Sequence, residues 1–473
     1  MINRKKKSSI IVMLAALLLL VPLSGEAQTI TRDKKQQTTK TTTKKKRDGG
    51  SAKTPSKKEH DSLMPNMSAE ELNRKGNDYY DEKEYADAVK CYRRSAELGY
   101  AAAQYNLGYM YEKGYGVKQN YHEALKWYLK SAEQGDASAQ NNLGYMYERG
   151  YGVQQNYNEA FMWYLKSAEQ GNSSGQINLG DMYYYGHGVQ QDYNEAIEWY
   201  QKAAKQGDAQ AQFFMGSMYE NGYGVNQDYD KALNWYRKAA NQGDSNAQDA
   251  LGDMYANGYG VKQDYNEAVK WYLKSANQGN PSAQFSIGYM YEKGYGVKQD
   301  YSEAVKWYRK SAEQGNAGGQ NNLGHMYEEG YGVKQDYNEA VKWYRKSAEQ
   351  GRAAGQYNLG FMYENGHGVR QDYSEAVKWY RKSAEQDDAQ SQNKLGYMYE
   401  NGYGVKQDYE EALKWYSKSA EQGKAAAQFH MGYLYENGYG VSKNLSIARY
   451  WYRKAAEQGY KHAIEALKRL REV

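Results

Sequence analysis

The chain offers little to a covalent mechanism: one cysteine, Cys91, and seven histidines scattered along 473 residues. A lone cysteine forms neither an internal disulfide nor a cysteine-based metal site, and Cys91 reads as a small buried hydrophobe. The histidines show no His-Glu-x-x-His spacing, so no metal and no cofactor is assigned. Ser391 and Lys394 have the Ser-x-x-Lys spacing that serine β-lactamases combine with further elements. The slot of Ser391 is filled by Ala103, Ala139 and Gly355 elsewhere, so a small packing residue accounts for it, and no catalytic residue is assigned. Gly-Tyr-Gly segments such as Gly114–Gly116 lack the third glycine, the Lys-Ser/Thr and the preceding strand of a phosphate loop. Trp-Tyr pairs are suited to stacking on sugars or bases, but a pair repeated in every unit belongs to packing.

These residues sit in a periodic array. All 10 Trp residues, from Trp127 to Trp451, recur at intervals of 36 residues without an insertion. A fixed period of this length marks a solenoid of helix pairs sharing thin cores. The mean hydropathy of −1.04 fits, because the apolar share is carried largely by 53 Tyr and by Ala. The fold class expected is all-α: a right-handed superhelical solenoid of antiparallel helix pairs. Ten units cover 101–460, a shorter hairpin with Cys91 in the Trp position occupies 61–100, and 461–473 read as a capping helix with Ile464, Leu467 and Leu470 on its apolar side.

The remaining segments address or tether. Arg4 to Lys7 followed by an apolar run from Ile10 to Leu23 read as a secretory signal, 1–27, with cleavage expected after Ala27. Residues 28–60 are rich in Lys, Thr and Ser and too polar to bury a core; they read as a disordered linker of net charge +8. The whole chain carries +5, so once the +3 of residues 1–27 is set aside the residues after 60 sum to −6. A mildly acidic array argues against nucleic acid as a partner. The basic linker reads first as a solvated spacer and second as a weak contact for anionic membrane or cell wall. The expected location is exported, periplasmic or secreted.

In the first unit, helix A is expected at about 102–113 and helix B at 121–134. Ala103, Leu107 and Tyr111 form one stripe; Tyr121, Ala124, Leu125, Tyr128 and Ala132 form the other. Asn120 and Glu123 have the spacing of a capping box, a pair kept in eight of the ten units and broken by Lys231 and Ile447. Gly114 and Gly135 stand where left-handed caps end the two helices. Gly108 and Ala124 are small in every unit, which allows close approach. The helix B cap glycine is replaced once, by Asp387.

The unit read from Ala247 to Gly279, with its Leu-Gly-x-Met-Tyr, Gly-x-Gly-Val and Trp-Tyr segments, resembles the Sel-like repeat of the tetratricopeptide-repeat superfamily over about three quarters of the chain. The hairpin at 61–100 lacks the Gly-Tyr-Gly-Val loop and looks like a tetratricopeptide cap. The resemblance implies an adaptor that holds a protein or peptide on the concave face. Its alternative implication is a weak β-lactam-binding or β-lactam-hydrolysing envelope protein, for which only Ser391 and Lys394 are available.

Where the units differ, a binding face is expected. Positions equivalent to 102, 105, 109, 112 and 113 lie opposite the helix A stripe at 100° per residue and should line the concave surface. The candidates there are Tyr105, Tyr109, Ile177, Asp181, Tyr184 and Tyr185, then Phe213, Ser217, Asp249, Asp253, Phe285 and Tyr289. Aromatic anchors beside acidic groups suit a peptide with apolar and basic side chains.

Overall fold

Residues 67–470 are described in a computed structural model; the leader and linker read from 1–60, like the last three residues, lie outside the described residues. Among the described residues every regular element is a helix, and no helix is long and apolar enough to cross a membrane. In the first full unit helix A runs Ala101–Lys113 and helix B Tyr121–Glu133, close to the bounds expected from periodicity. Helix A stops at Gly114, whose φ of 74° is open to glycine at no side-chain cost and whose N–H reaches the Met110 carbonyl.

Helix B starts on Asn120, whose side chain accepts from the N–H groups of His122 and Glu123. The reciprocal half expected of a capping box does not form there. The Asn120 N–H donates instead to the Tyr111 carbonyl at 2.9 Å, so Glu123 has no orphan donor to satisfy. This explains why the Lys231 and Ile447 units keep their caps: both backbone N–H groups still reach the cap side chain, at Asp228 and Asn444. A complete box occurs once among the described caps, between Ser68 and Glu71.

The described chain divides into two bodies, one of residues up to 211 with 223–225, the other of 212–222 with 226 onward. In the first, the hairpin Ala69–Asp81/Tyr85–Glu97 is followed by successive A and B helices through Tyr193–Lys205, each packed on the next. Neighbouring units are joined by buried amides: Gln104 donates to the Ala96 carbonyl at 3.2 Å and accepts from Gln134 at 2.7 Å. They are joined again at the loops, where the Tyr121 and Tyr151 rings stack at 4.8 Å. His187, in the loop slot usually held by tyrosine, stacks on Tyr157 in the same way at 4.6 Å.

The second body repeats this scheme, with Gln248 bonded to the Ala240 carbonyl and to Gln278. On its B helices Lys274 lies over the Trp271 ring at 3.7 Å, a cation–π contact that recurs through the array. Its last helix, Lys461–Arg469, buries Ala463 and Ala466, with Leu470 just beyond. Ile464, expected on the buried side, is 37% exposed, because the helix turns its alanines to the array and Arg469 reaches Glu436 at 2.6 Å.

Two predictions follow from backbone geometry. Asp387 holds a φ of 63°, and its helix, Tyr373–Ala384, has 12 residues where its counterparts have 13. Asp387→Gly should stabilise by about 1 kcal/mol. In the native chain, amide exchange over 384–390 should outpace that over 348–354 and 420–426. Gly135 and Gly152 both have positive φ, but a Cβ at Gly135 meets nothing within 4 Å, whereas one at Gly152 lies 2.5 Å from the Tyr121 carbonyl oxygen. Gly135→Ala should cost about 1 kcal/mol and Gly152→Ala clearly more, read by urea unfolding.

Candidate partner-binding face

The face begins with a tyrosine that is not on it. In helix B of the first full unit Tyr128 is fully buried, and its ring presses on Gly108 so closely that a Cβ there would lie 2.7 Å from it. A buried phenol needs an acceptor, and Tyr128 donates to Glu112 on helix A at 2.7 Å. Burial, then the Glu112 carboxylate, push the hydroxyl far above the usual tyrosine range, so it stays a donor.

All ten units make this bond, but not always from the same position. Tyr184 and Ala256 stand where the others have Glu, and in those two units an aspartate three residues earlier takes over. Tyr200 donates to Asp181 at 2.6 Å and Tyr272 to Asp253 at 2.6 Å. In the first hairpin Asn77 does the same for Tyr92 at 2.9 Å. The cluster of departures around 173–280, expected to mark a binding surface, is therefore in part a relocation of one structural acceptor by a turn of helix. The signal was present in the sequence as paired substitutions at 181 with 184 and at 253 with 256.

The positions expected to stand clear of the core are largely covered. Tyr105 is 3% exposed and Ile177 4%; Tyr109 is buried too. Helix A is flanked by its own helix B, by the preceding helix B and, for Ala137–Arg149, by the next helix A as well, so its opposite side is not free. Tyr105 and Phe285 pack against the buried tyrosines of their own units, with ring centroids 5.7 Å from Tyr128 and 5.8 Å from Tyr308. Phe213 does the same with Tyr236. Ser217 is half-buried beside Asn221.

What reaches solvent is narrower. In the first body Tyr185 is 38% exposed and lies edge-on to Tyr184, which also contacts Tyr193 and Tyr223. In the second body Tyr289 is 38% exposed, and Asp253, half-buried, occupies the equivalent position one unit earlier. Asp249 is buried, its Oδ1 without a hydrogen-bond partner.

The groups that suggested chemistry are engaged elsewhere. Ser391 is fully buried and donates to Ser383 at 2.8 Å, while Lys394 grips Glu364 at 2.9 Å. The two do not face each other as nucleophile and base. His325, Glu328 and Glu329 bring donor atoms within 4.8 Å, but Glu328 already accepts from Tyr344. The buried glutamines went unnoticed in the sequence, although Gln104 recurs in every full unit.

Two predictions test the relocated acceptor. Asp181→Ala should remove the carboxylate acceptor of the buried Tyr200 hydroxyl and cost about 1–3 kcal/mol. Adding Tyr184→Glu should recover most of that loss, measured by denaturant titration. Burial raises the Asp181 carboxyl from its ordinary 3.8 to about 7. The folded chain then holds that proton more tightly than the unfolded one, so this group's contribution is greatest at low pH and declines as pH climbs from about 4 to about 7. The melting temperature of the native chain should fall across that window relative to Asp181→Asn, which keeps an acceptor for Tyr200 but does not titrate.

The Sel1 repeat model matches eleven segments running from residue 73 to residue 460, among them 73–100, the hairpin read from sequence as a tetratricopeptide-like cap. A solved structure of c5321, a protective antigen of uropathogenic Escherichia coli displaying an SLR fold, is 40% identical. It covers 88% of this chain and 90% of its own, with a TM-score of 0.66. A Sel1 repeat protein from Oxalobacter formigenes is 36% identical over 52% of this chain and 96% of its own, with a TM-score of 0.48. No curated protein matches. With its eleven repeats and its paired helices forming a solenoid, the chain belongs to the Sel1 repeat family.

Proposed function

We propose that the chain is an exported scaffold that holds a protein or peptide against the exposed strip of its A helices, and that it performs no catalysis of its own. Repeat solenoids of this kind typically serve as protein interaction modules. The observation that carries the reading is the division of labour within each unit. The amides, loop stacks and tyrosine–carboxylate bonds recur throughout, whereas the side chains at the 109 position that no such bond accounts for change from unit to unit, through Ser217, Tyr289, His325 and Phe361. Repetition of the first set keeps the backbone constant; variety in the second is what recognition of an irregular partner needs. Export rests on the signal pattern of residues 1–27. The protective-antigen role of the Escherichia coli protein accords with it.

Placing a photo-cross-linking amino acid at Tyr289, Tyr185 or the helix B residue Lys270 tests the face. Adducts to another protein are expected in envelope extracts from the first two sites and not from Lys270. Equal labelling at all three, or none, would remove this reading. Intact-mass measurement of the exported chain should give an N-terminus at Gln28.

A further inference from the structure

Asp249 is the acid that the scaffold does not use. Each full unit has a residue at this helix A position, and Tyr105, Phe213 and Phe285 fill it with rings packed on the helix B tyrosine. In the unit at 245–280 this slot, which holds Asn141, Asn321 and Asn393 in three others, carries an aspartate that is 8% exposed, with Oδ1 buried and without a hydrogen-bond partner. Four residues on, Asp253 lies one helical turn away on the same face, where side chains are neighbours. Its Oδ1 accepts from Tyr272, the bond that other units give to a glutamate. The Ser282 hydroxyl hydrogen-bonds to the Asp249 carboxyl, while burial and then the charge of Asp253 push that carboxyl well above its ordinary range; among the described residues no cation offsets them. Lys293, on the next helix A, is taken by Glu292 at 2.5 Å.

A buried carboxylate without a partner is costly, and a second one beside it adds repulsion. Neither cost stabilises the array, since the Tyr272 bond needs only Asp253. A cation placed between the two oxygens would remove both at once. Asp253 is half-buried and gives that cation a way in from the surface. The equivalent positions one unit before and after are Ser217 and the exposed ring of Tyr289, and those of Asp249 are Phe213 and Phe285. A long flexible side chain with a terminal charge reaches such a site while its neighbours lie on apolar and aromatic surface.

We propose that Asp249 and Asp253 form a receptor for one Lys or Arg side chain of a bound peptide, with apolar residues flanking it. This deepens the scaffold reading and rests on it. The occupant is a polypeptide, because Tyr289, one unit on from Asp253 at the equivalent position, exposes an aromatic ring beside which the residue next to the charge can lie.

Pools of random heptapeptides with a fixed central Lys, Arg, Nε-acetyl-lysine or norleucine, immobilised and exposed to the full-length chain, test this. The Lys and Arg pools should retain the protein about tenfold or more above the two neutral pools, as a desolvated charge pair implies. Asp249→Asn with Asp253→Asn should lower the Lys and Arg pools to the neutral level while leaving helical circular dichroism unchanged. If the double variant melts early, Asp249→Asn alone, which leaves the Tyr272 bond intact, makes the same comparison. Equal retention by all four pools, no retention by any, or undiminished Lys binding by the variants would overturn the assignment. Cross-linking at Tyr289 is independent of these pools, so a scaffold without this receptor would still show its adducts.

Discussion

The structure depends on a tyrosine hydroxyl buried at every helix pair. Tyr128 and its equivalents fill the space between helices A and B only because Gly108 has no side chain to obstruct the ring, and they remain there only because a carboxylate accepts the hydroxyl. A phenol ring contributes a large buried area with two rotatable bonds, which suits a protein whose cores are thin. Its polar tip would make that burial unfavourable without an acceptor. The composition follows from this: much tyrosine, little branched aliphatic residue, and an acid on helix A in each unit.

A constraint repeated in every unit also shows which residues are free of it. Asp181 and Asp253 depart from the consensus yet satisfy the same bond as Glu112, so their departure says little by itself about a partner. Asp249 makes no such bond, and its Oδ1 has no hydrogen-bond partner. The distinction between an unusual residue that keeps the framework and one that strains it comes from the hydrogen bonds, and it narrows a broad variable surface to the strip holding Asp253, Asp249 and Tyr289.

The contacts between units work by a different route. Gln104 is a buried amide with donor and acceptor both engaged, and it links two successive B helices through one side chain. The loop glycine Gly152 lets the backbone rest on the start of the preceding helix B, and the ring stack of Tyr121 with Tyr151 closes the same seam. These are polar and aromatic contacts of fixed geometry, so within each body one unit must meet the next in the same way. That accounts for an uninterrupted 36-residue period better than apolar packing, which tolerates substitution of similar volume.

Helix bounds, left-handed caps and the packing of Gly108 were legible from the sequence because they are local or strictly periodic: φ at Gly114 and the spacing of Trp127 to Trp451 need no knowledge of distant neighbours. The anomaly at Asp387 was legible for the same reason. The cap at Asn120 was legible only in half, since its own N–H goes to Tyr111 across the loop. The binding face was misjudged where a single-helix projection was applied to a helix with neighbours on several sides, so Tyr105 and Ile177 were expected in solvent and lie buried. A helical wheel gives the direction of a side chain and not what stands opposite it. That depends on the packing of the next unit, and only tertiary structure decided which acids were bonded to tyrosine and which one, Asp249, kept a buried oxygen without a hydrogen bond.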